Sequence, residues 1–127
     1  MAAPNFASIT TITPHTVSIT PSDTSRNALV TIPSTGQAHK IEQILIANVD
    51  NAANYSATVE LRLADGSTYR VLCYQVTVPA GGTVELLTKN TSLYLLDSSV
   101  TGEASTLWAT SGTASKLTFT CSYETLS

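Results

Sequence analysis

Residues 55–78, YSATVELRLADGSTYRVLCYQVTV, decide the fold class of this chain. Apolar and polar side chains alternate from Tyr55 to Leu63, which is the period of a strand with one face in a core. Asp65-Gly66 comes next, and this dipeptide favours a type I′ hairpin turn, whose two central residues both need positive φ. The sequence therefore predicts two antiparallel strands, 55–63 and 68–78, joined at this dipeptide.

The same alternation predicts further strands on both sides of the hairpin. Residues 79–82, PAGG, end the second strand, and residues 83–87 then predict a third strand that completes a meander. An apolar run at 40–49 predicts a central strand with a bulge, with a short helix as the alternative. Downstream strands are predicted at 92–96, 104–110 and 116–123. The expected fold is an all-β, antiparallel β-sandwich, immunoglobulin-like or jelly-roll-like, with roughly seven to nine short strands.

The first 38 residues differ from the rest of the chain. They contain short Thr-rich extended pieces at 9–12, 16–20 and 28–32, divided by prolines, and they carry few large apolar residues. We expect residues 1–38 to form an extended N-terminal arm or edge strands that add little to the core, and residues 39–127 to form the β-sandwich domain. The apolar side chains of the arm are the candidate assembly contacts: Ile9, Ile12, Val17, Ile19, Leu29 and Ile32.

Strand phase also predicts the core and the state of the cysteines. Tyr74 falls in the apolar phase of its strand, which puts Cys73 on the opposite face, whereas Cys121 points inward. Opposite faces predict two free thiols and not a disulfide. The inward phases give the expected core residues: Val59, Leu61, Leu63, Leu72, Val76, Val78, Leu86, Leu95, Leu117, Phe119 and Cys121.

Composition bears on the possible partners. Charged residues make up 12% of the chain and its net charge is −3, so no basic stripe is present and we expect no nucleic-acid partner. No apolar run is long enough to span a membrane and no secretory signal is visible, so we expect a protein made in the cytoplasm. The surface is rich in hydroxyl groups, which suits a protein with many neighbours; the strand preference of Thr accounts for the same composition.

No pattern in the sequence indicates catalysis. His15 and His39 have no other ligand at metal-binding spacing, and we expect both to be solvated surface residues. No Gly-x-Ser-x-Gly elbow is present, and the carboxylates are isolated. The sequence therefore predicts a non-enzymatic protein with no catalytic, cofactor-binding or metal-binding residues.

Five short motifs carry a resemblance to a known class of proteins. They are QILIAN at 43–48, the hairpin at 59–69, VTVPAGG at 76–82 running into ELL at 85–87, LYL at 93–95 and SYE at 122–124. From residue 40 to the end, the chain resembles small virion structural proteins of tailed bacteriophages. The resemblance implies a homo-oligomeric protein of the virion without cofactors, most often a capsid decoration (cement) protein that stabilises the shell by bridging neighbouring subunits. Its partners would be the major capsid protein or other virion proteins.

A second function class stays open at this point. The chain could instead be a neck, tail, baseplate or fibre component, including a receptor- or glycan-binding module in which Tyr55, Tyr69, Tyr74 and Trp108 stack on sugars. Such a module needs several aromatic rings on one face. Because most of these residues share the phase of Leu and Val, the sequence favours the cement function.

Overall fold

The computed structural model of the chain describes residues 8–88 and 93–127, and the regular elements in them are β-strands. Ser92, in the predicted strand 92–96, lies outside these residues. The strands are β1 (Ile12–Ile19), β2 (Arg26–Val30), β3 (Ala38–Asn48), β4 (Tyr55–Leu63), β5 (Tyr69–Val78), β6 (Thr83–Leu87), β7 (Leu93–Leu96), β8 (Ala104–Ser111) and β9 (Leu117–Leu126).

The strands form two antiparallel sheets that pack face to face. The first sheet has the order β1-β9-β3-β6, with β7 also paired to β3, and the second has the order β2-β8-β4-β5. β3 pairs with β9 on one side, while β6 and β7 share its other side at residues 44–47 and 38–41. The prediction of an all-β, antiparallel β-sandwich is confirmed.

The connectivity is that of one long hairpin rolled into two sheets. β4 pairs with β5 at the bend, and moving outward along the chain β3 pairs with β6, β2 with β8 and β1 with β9. The pairs β3–β9 and β4–β8 then join the rolled layers. This is the jelly-roll arrangement, one of the two alternatives that the sequence left open.

The turn at Asp65-Gly66 is not of type I′. Of these two residues only Gly66 has positive φ, at 75°. The Gly66 N–H donates to the Leu63 carbonyl at 3.0 Å, and the Leu63 N–H donates to the Thr68 carbonyl at 2.9 Å. Asp65 instead holds the loop through its carboxylate, which accepts hydrogen bonds from the backbone N–H groups of Ser67 and Thr68 and from the Thr68 hydroxyl. These bonds, the hydroxyl bond most strongly, lower the pKa of Asp65 to about 2.

The predicted three-stranded meander is wrong because β6 belongs to the other sheet. The turn at 79–82 attaches to the end of β3: the Gly81 N–H donates to the Asp50 carbonyl and the Asn48 N–H to the Gly82 carbonyl. Gly82 also packs so tightly on Pro79 that a Cβ there would lie 2.9 Å from the proline ring. The chain therefore crosses from β5 to pair with β3.

The predicted phase of β5 is also wrong in its middle. Two register shifts interrupt the pairing of β4 with β5, and Gln75 has a positive φ of 50°. Each bulge adds a residue and so reverses the side of the sheet on which the next side chain lies. Tyr74 is consequently 69% exposed, and Cys73 packs against the core.

The core lies between the sheets and agrees in part with the sequence. Of the predicted residues, six are fully buried: Val59, Val78, Leu95, Leu117, Phe119 and Cys121. The other five, Leu61, Leu63, Leu72, Val76 and Leu86, are half-buried. β1 and β2 are edge strands, but Leu29 and Val30 of β2 are buried in the main cluster. The expectation that residues 1–38 add little to the core is therefore wrong for β2. Its last two residues, Leu29 and Val30, are apolar and belong to the core cluster.

Removing Phe119 tests where the core lies. Phe119 is fully buried near the start of β9, so Phe119→Ala should lower the free energy of unfolding by about 3–5 kcal/mol. Thr120→Ala, next to it on the outer side of the strand, removes one exposed hydroxyl pair and should cost less than about 1 kcal/mol. Urea melts of both variants measure the difference, and equal losses would contradict this assignment of faces.

Both cysteines are free thiols on different sheets. Burial raises the pKa of Cys121 to about 12 and also raises the pKa of the half-buried Cys73. Under native conditions we expect an alkylating reagent to label Cys73 slowly and Cys121 hardly at all, because the thiolate is the reactive form. In denaturant without reductant, mass spectrometry should show two labels. Resistance of both thiols to alkylation in denaturant would mean that they form a disulfide.

Candidate assembly surfaces

The outer face of the second sheet carries the most varied chemistry in the described chain. Paired residues of a sheet project on the same side, and the register pairs Arg62 with Tyr69 and Glu60 with both Val71 and Trp108. Tyr74 and Arg26 complete the set. We call these seven residues the outer face: Arg26, Glu60, Arg62, Tyr69, Val71, Tyr74 and Trp108.

Arg26 spans this face from the edge strand. Its guanidinium reaches across β8 to Glu60, with Nε 3.0 Å from Oε1 and Nη2 3.3 Å from Oε2. The hydrogen bond with Glu60 raises the pKa of Arg26. The same guanidinium carbon lies 3.7 Å from the centre of the Tyr69 ring. One arginine thus satisfies a carboxylate that is only 8% exposed and stacks on an aromatic ring.

A second guanidinium–aromatic pair lies beside the first. The Arg62 guanidinium is 4.9 Å from the Trp108 ring, and Trp108 meets Tyr69 edge to face at 6.3 Å between ring centres. Arg62 Nε and Trp108 Nε1 are both buried without a hydrogen-bond acceptor among the described residues. Most buried N–H groups in proteins bond to a protein acceptor or to ordered water, so these two are exceptions among the described residues.

Exposed apolar side chains adjoin these donors. On β5, Val71 is 52% exposed and lies opposite Glu60, and Tyr74 is 69% exposed further along the strand, between the pairs Cys73–Val59 and Val76–Ala57. Other large exposed apolar residues are spread over the described surface: Ile12, Ile32, Val49 and Tyr94. The outer face therefore combines apolar area with hydrogen-bond donors that lack acceptors.

The first sheet presents a different outer surface, made of hydroxyl pairs. Across β1 and β9, Thr16 pairs with Ser122 at 3.3 Å and Ser18 with Thr120 at 2.9 Å. Thr20, just past β1, pairs with Thr118 at 2.9 Å. The outer sides of β1 and β9 thus carry a ladder of uncharged hydroxyl groups.

The six candidate assembly contacts occupy different environments. Leu29 is 5% exposed and buried in the core, and Val17 and Ile19 are half-buried against it. Ile12 is 58% and Ile32 43% exposed, while Ile9 is half-buried. They do not form one exposed patch, because β1 and β2 turn half of them towards the protein's own core. Three members of the outer face, Tyr69, Tyr74 and Trp108, were considered as surface aromatic residues from the sequence, but their phase favoured the core.

The two histidines flank one tyrosine at the end of the sandwich. His15 stacks on Tyr123 at 4.8 Å between ring centres, and His39 meets the same ring edge-on at 4.9 Å. His39 Nδ1 lies 3.0 Å from the Thr125 hydroxyl. His15 is exposed as expected, but His39 is only 7% exposed, so its expected solvation is wrong. In residues 8–88 and 93–127 no three metal-ligating side chains are grouped together.

No protein-family model and no curated protein matches the chain. The structure of the infectious bursal disease virus Gt strain is similar over 89% of this chain and 32% of that one, with 14% sequence identity and a TM-score of 0.35. The chain thus spans about a third of that longer chain, and the TM-score is below the level at which two chains share a fold. The described residues include no helical segment with the length and hydropathy of a membrane span.

The burial of His39 predicts a pH-dependent stability. Burial, and secondarily the neighbouring His15, lower the pKa of His39 from its usual 6.5. Below that pH the unfolded chain binds a proton that the folded protein does not yet bind, so stability falls as the pH drops through this range. We expect chemical melts to show a smaller free energy of unfolding at about pH 5 than at about pH 7.5.

Two variants identify the group responsible for this dependence. His39→Gln should flatten the slope because it removes the titrating ring and keeps a hydrogen-bonding side chain near Thr125. His15→Gln should leave most of the slope, since burial is the larger cause of the His39 shift. An unchanged slope in His39→Gln would assign the pH dependence to other groups.

Proposed function

We propose that this protein is a non-enzymatic structural component of a virion, and specifically a capsid decoration (cement) protein that stabilises the shell by bridging neighbouring subunits. The sequence motifs from residue 40 onward support this function. The jelly-roll connectivity is compatible with it, since jelly rolls occur in viral capsid proteins, but they also occur in lectins and cupins. Because a fold does not determine a function, the proposal depends on the surface.

The observation that carries the proposal is the composition of the outer face. Exposed Val71 lies opposite Glu60, whose other neighbour is Trp108, and exposed Tyr74 extends the apolar area further along β5. The buried N–H groups of Arg62 and Trp108 have no acceptor among the described residues. A partner that covered Val71 and Tyr74 would bury their apolar area and bring carbonyl or carboxylate oxygens to the half-buried Arg62 side chain. Exposed aromatic residues with nearby arginine are typical of the residues that dominate protein–protein affinity.

Because few residues are charged, removing water from such a contact surface costs little free energy. Only 12% of the residues are charged, and Arg26 and Glu60 on the outer face already neutralise each other. A partner therefore displaces little tightly held water from this sheet. Bridging proteins of a shell need contacts of this kind on more than one side, and the hydroxyl ladder of the first sheet offers a second low-charge surface.

The glycan-binding alternative is less well supported by the aromatic residues. The rings of Tyr69 and Trp108 already carry the guanidinium groups of Arg26 and Arg62, so they are not open for stacking on a sugar. Tyr55 packs against the core and donates its hydroxyl to Asp50 at 2.7 Å. Of the four aromatic residues considered, only Tyr74 presents an open ring, and sugar stacking generally needs several.

Reconstitution on particles that lack the protein tests this function. Purified protein should co-sediment with such particles and raise the temperature at which they release their DNA. The variant V71T/Y74S, which replaces exposed apolar groups with hydroxyls, should bind at least about tenfold more weakly. V49T makes the same kind of change at a residue that is 64% exposed elsewhere, and should bind as the wild type does.

Three results would contradict the proposal. Particles that bind no protein would exclude a decoration role. Immunogold labelling confined to the neck or tail would assign the protein to the alternative class of virion component. Equal binding by V71T/Y74S and the wild type would show that the outer face is not the contact surface.

A further inference from the structure

The four edges of the two sheets are not equally protected against adding another strand. β5 has two register shifts and a left-handed Gln75. β2 is five residues long, has one register shift and carries Arg26. β6 is also five residues long and carries Glu85, and β7, which shares that edge with β6, is only four residues long. Bulges, shortness and charge are the usual devices that stop edge-to-edge pairing.

β1 has few of these devices. It is eight residues long, ITPHTVSI, pairs with β9 without a register shift and has no Lys, Arg, Asp or Glu. Within residues 8–88 and 93–127, no strand pairs with its other side. Pro14 is its single interruption, and it lies near the start of the strand. Thr11 and Ser127 exchange both backbone hydrogen bonds, so the N–H groups of the odd-numbered residues of β1 point to β9 and those of Thr16 and Ser18 point to the free edge.

We infer that the free edge of β1 pairs antiparallel with β1 of a second copy of this chain, so that the first sheets of two copies form one continuous sheet. This inference concerns self-association and does not rest on the proposed virion function. A two-fold axis brings a strand against itself, which suits a strand without charge because no like-charged pair arises. A charged partner strand would find no opposite charge on β1.

The alternation of faces restricts the register of this pairing. Residues opposite each other must project on the same side, so an outward residue faces an outward one. One register meets this condition and places Pro14 just outside the paired stretch: Val17 faces Val17 of the second copy, Thr16 faces Ser18, and His15 faces Ile19. Half-buried Val17 then gains an apolar neighbour.

The outer side of the same pairing continues an existing pattern. Thr16 and Ser18 already form hydroxyl pairs with Ser122 and Thr120 on β9. In the proposed register they also lie opposite Ser18 and Thr16 of the second copy, so the hydroxyl ladder runs through the contact between copies. A short edge contact of this kind gives a weak dimer in solution, which is strengthened wherever neighbouring contacts hold the copies close together.

Charge substitution at the paired positions tests the proposal. Sedimentation velocity of the wild type at concentrations up to about 1 mM should show a monomer–dimer equilibrium. In T16K/S18K each substituted position faces another substituted position, so dimerisation should weaken roughly tenfold to thirtyfold. T83K places the same charge on exposed Thr83 of β6, at the opposite side of the sheet, and should leave the dimer unchanged.

A mixing experiment separates lost pairing from lost folding. T16E/S18E should also be monomeric alone, and mixing it with T16K/S18K should restore a heterodimer, because opposite charges then face each other. Hydrogen exchange of the Thr16 and Ser18 amides, which point to the free edge, should slow as the wild-type concentration rises, whereas the Val17 amide, which points to β9, should change little.

Several outcomes would overturn the inference. They are a wild type that stays monomeric at about 1 mM, a dimer that T16K/S18K leaves intact, and a failure of the two folded charge variants to associate when mixed. A monomeric wild type whose binding to particles is lost in T16K/S18K would assign the β1 edge to another protein. Particle binding by V71T/Y74S and dimerisation of the wild type are separate measurements, so either proposal can fail without the other.

Discussion

The bend at residues 64–67 is the constraint on which the rest of the structure depends. It lies close to the middle of the 127-residue chain, and every later pairing of the rolled hairpin is counted outward from it. The Asp65 carboxylate holds three donors of the bend, and Gly66 supplies the positive φ that reverses the chain. Outward from the β4–β5 pair, β3 meets β6, β2 meets β8 and β1 meets β9, and the pairs β3–β9, β4–β8 and β3–β7 then fix the rolled layers.

The two outer surfaces of the sandwich solve the same problem with different chemistry. Each surface covers one β-sheet and faces water, although only 12% of the residues of the chain are charged. The first sheet uses paired hydroxyls between β1 and β9, and the second uses guanidinium groups laid over aromatic rings. Hydroxyl pairs can exchange partners at low cost, whereas the arginines are held by Glu60 and by two rings.

Alternation along the chain was enough to predict the strands, the hairpin and the sandwich, because period two is imposed directly by strand geometry. It failed where geometry depends on partners distant in sequence. The bulges around Cys73 and Gln75 carry no sequence signal, so Tyr74 was placed inside. The crossing of β6 depends on contacts between 79–82 and the end of β3, and the turn residues alone predict only a reversal.

The outer face escaped prediction for a similar reason. Its members come from four strands, and the reach of Arg26 across β8 becomes visible only when the order of the sheet is known. Trp108 and Tyr69 look like core residues in a linear sequence, since aromatic side chains usually fill cores. His39 shows the opposite error, because a polar residue at a strand end was covered by Tyr123 from the neighbouring strand.

Pairing of the outermost strands also brings the two ends of the described chain together. The N–H groups of Thr10 and Thr11 donate to the Ser127 carbonyl at 2.9 and 3.0 Å, and the Ser127 N–H donates back to Thr11 at 3.0 Å. Ends this close allow the chain to be circularly permuted: a short linker could join them, and new termini could open in the loop at 64–67. In such a permutant β9 and β1 would form a local hairpin, whereas β4 and β5 would have to find each other across the whole chain. The same sandwich would then assemble in the reverse order, from its outer strands towards its centre.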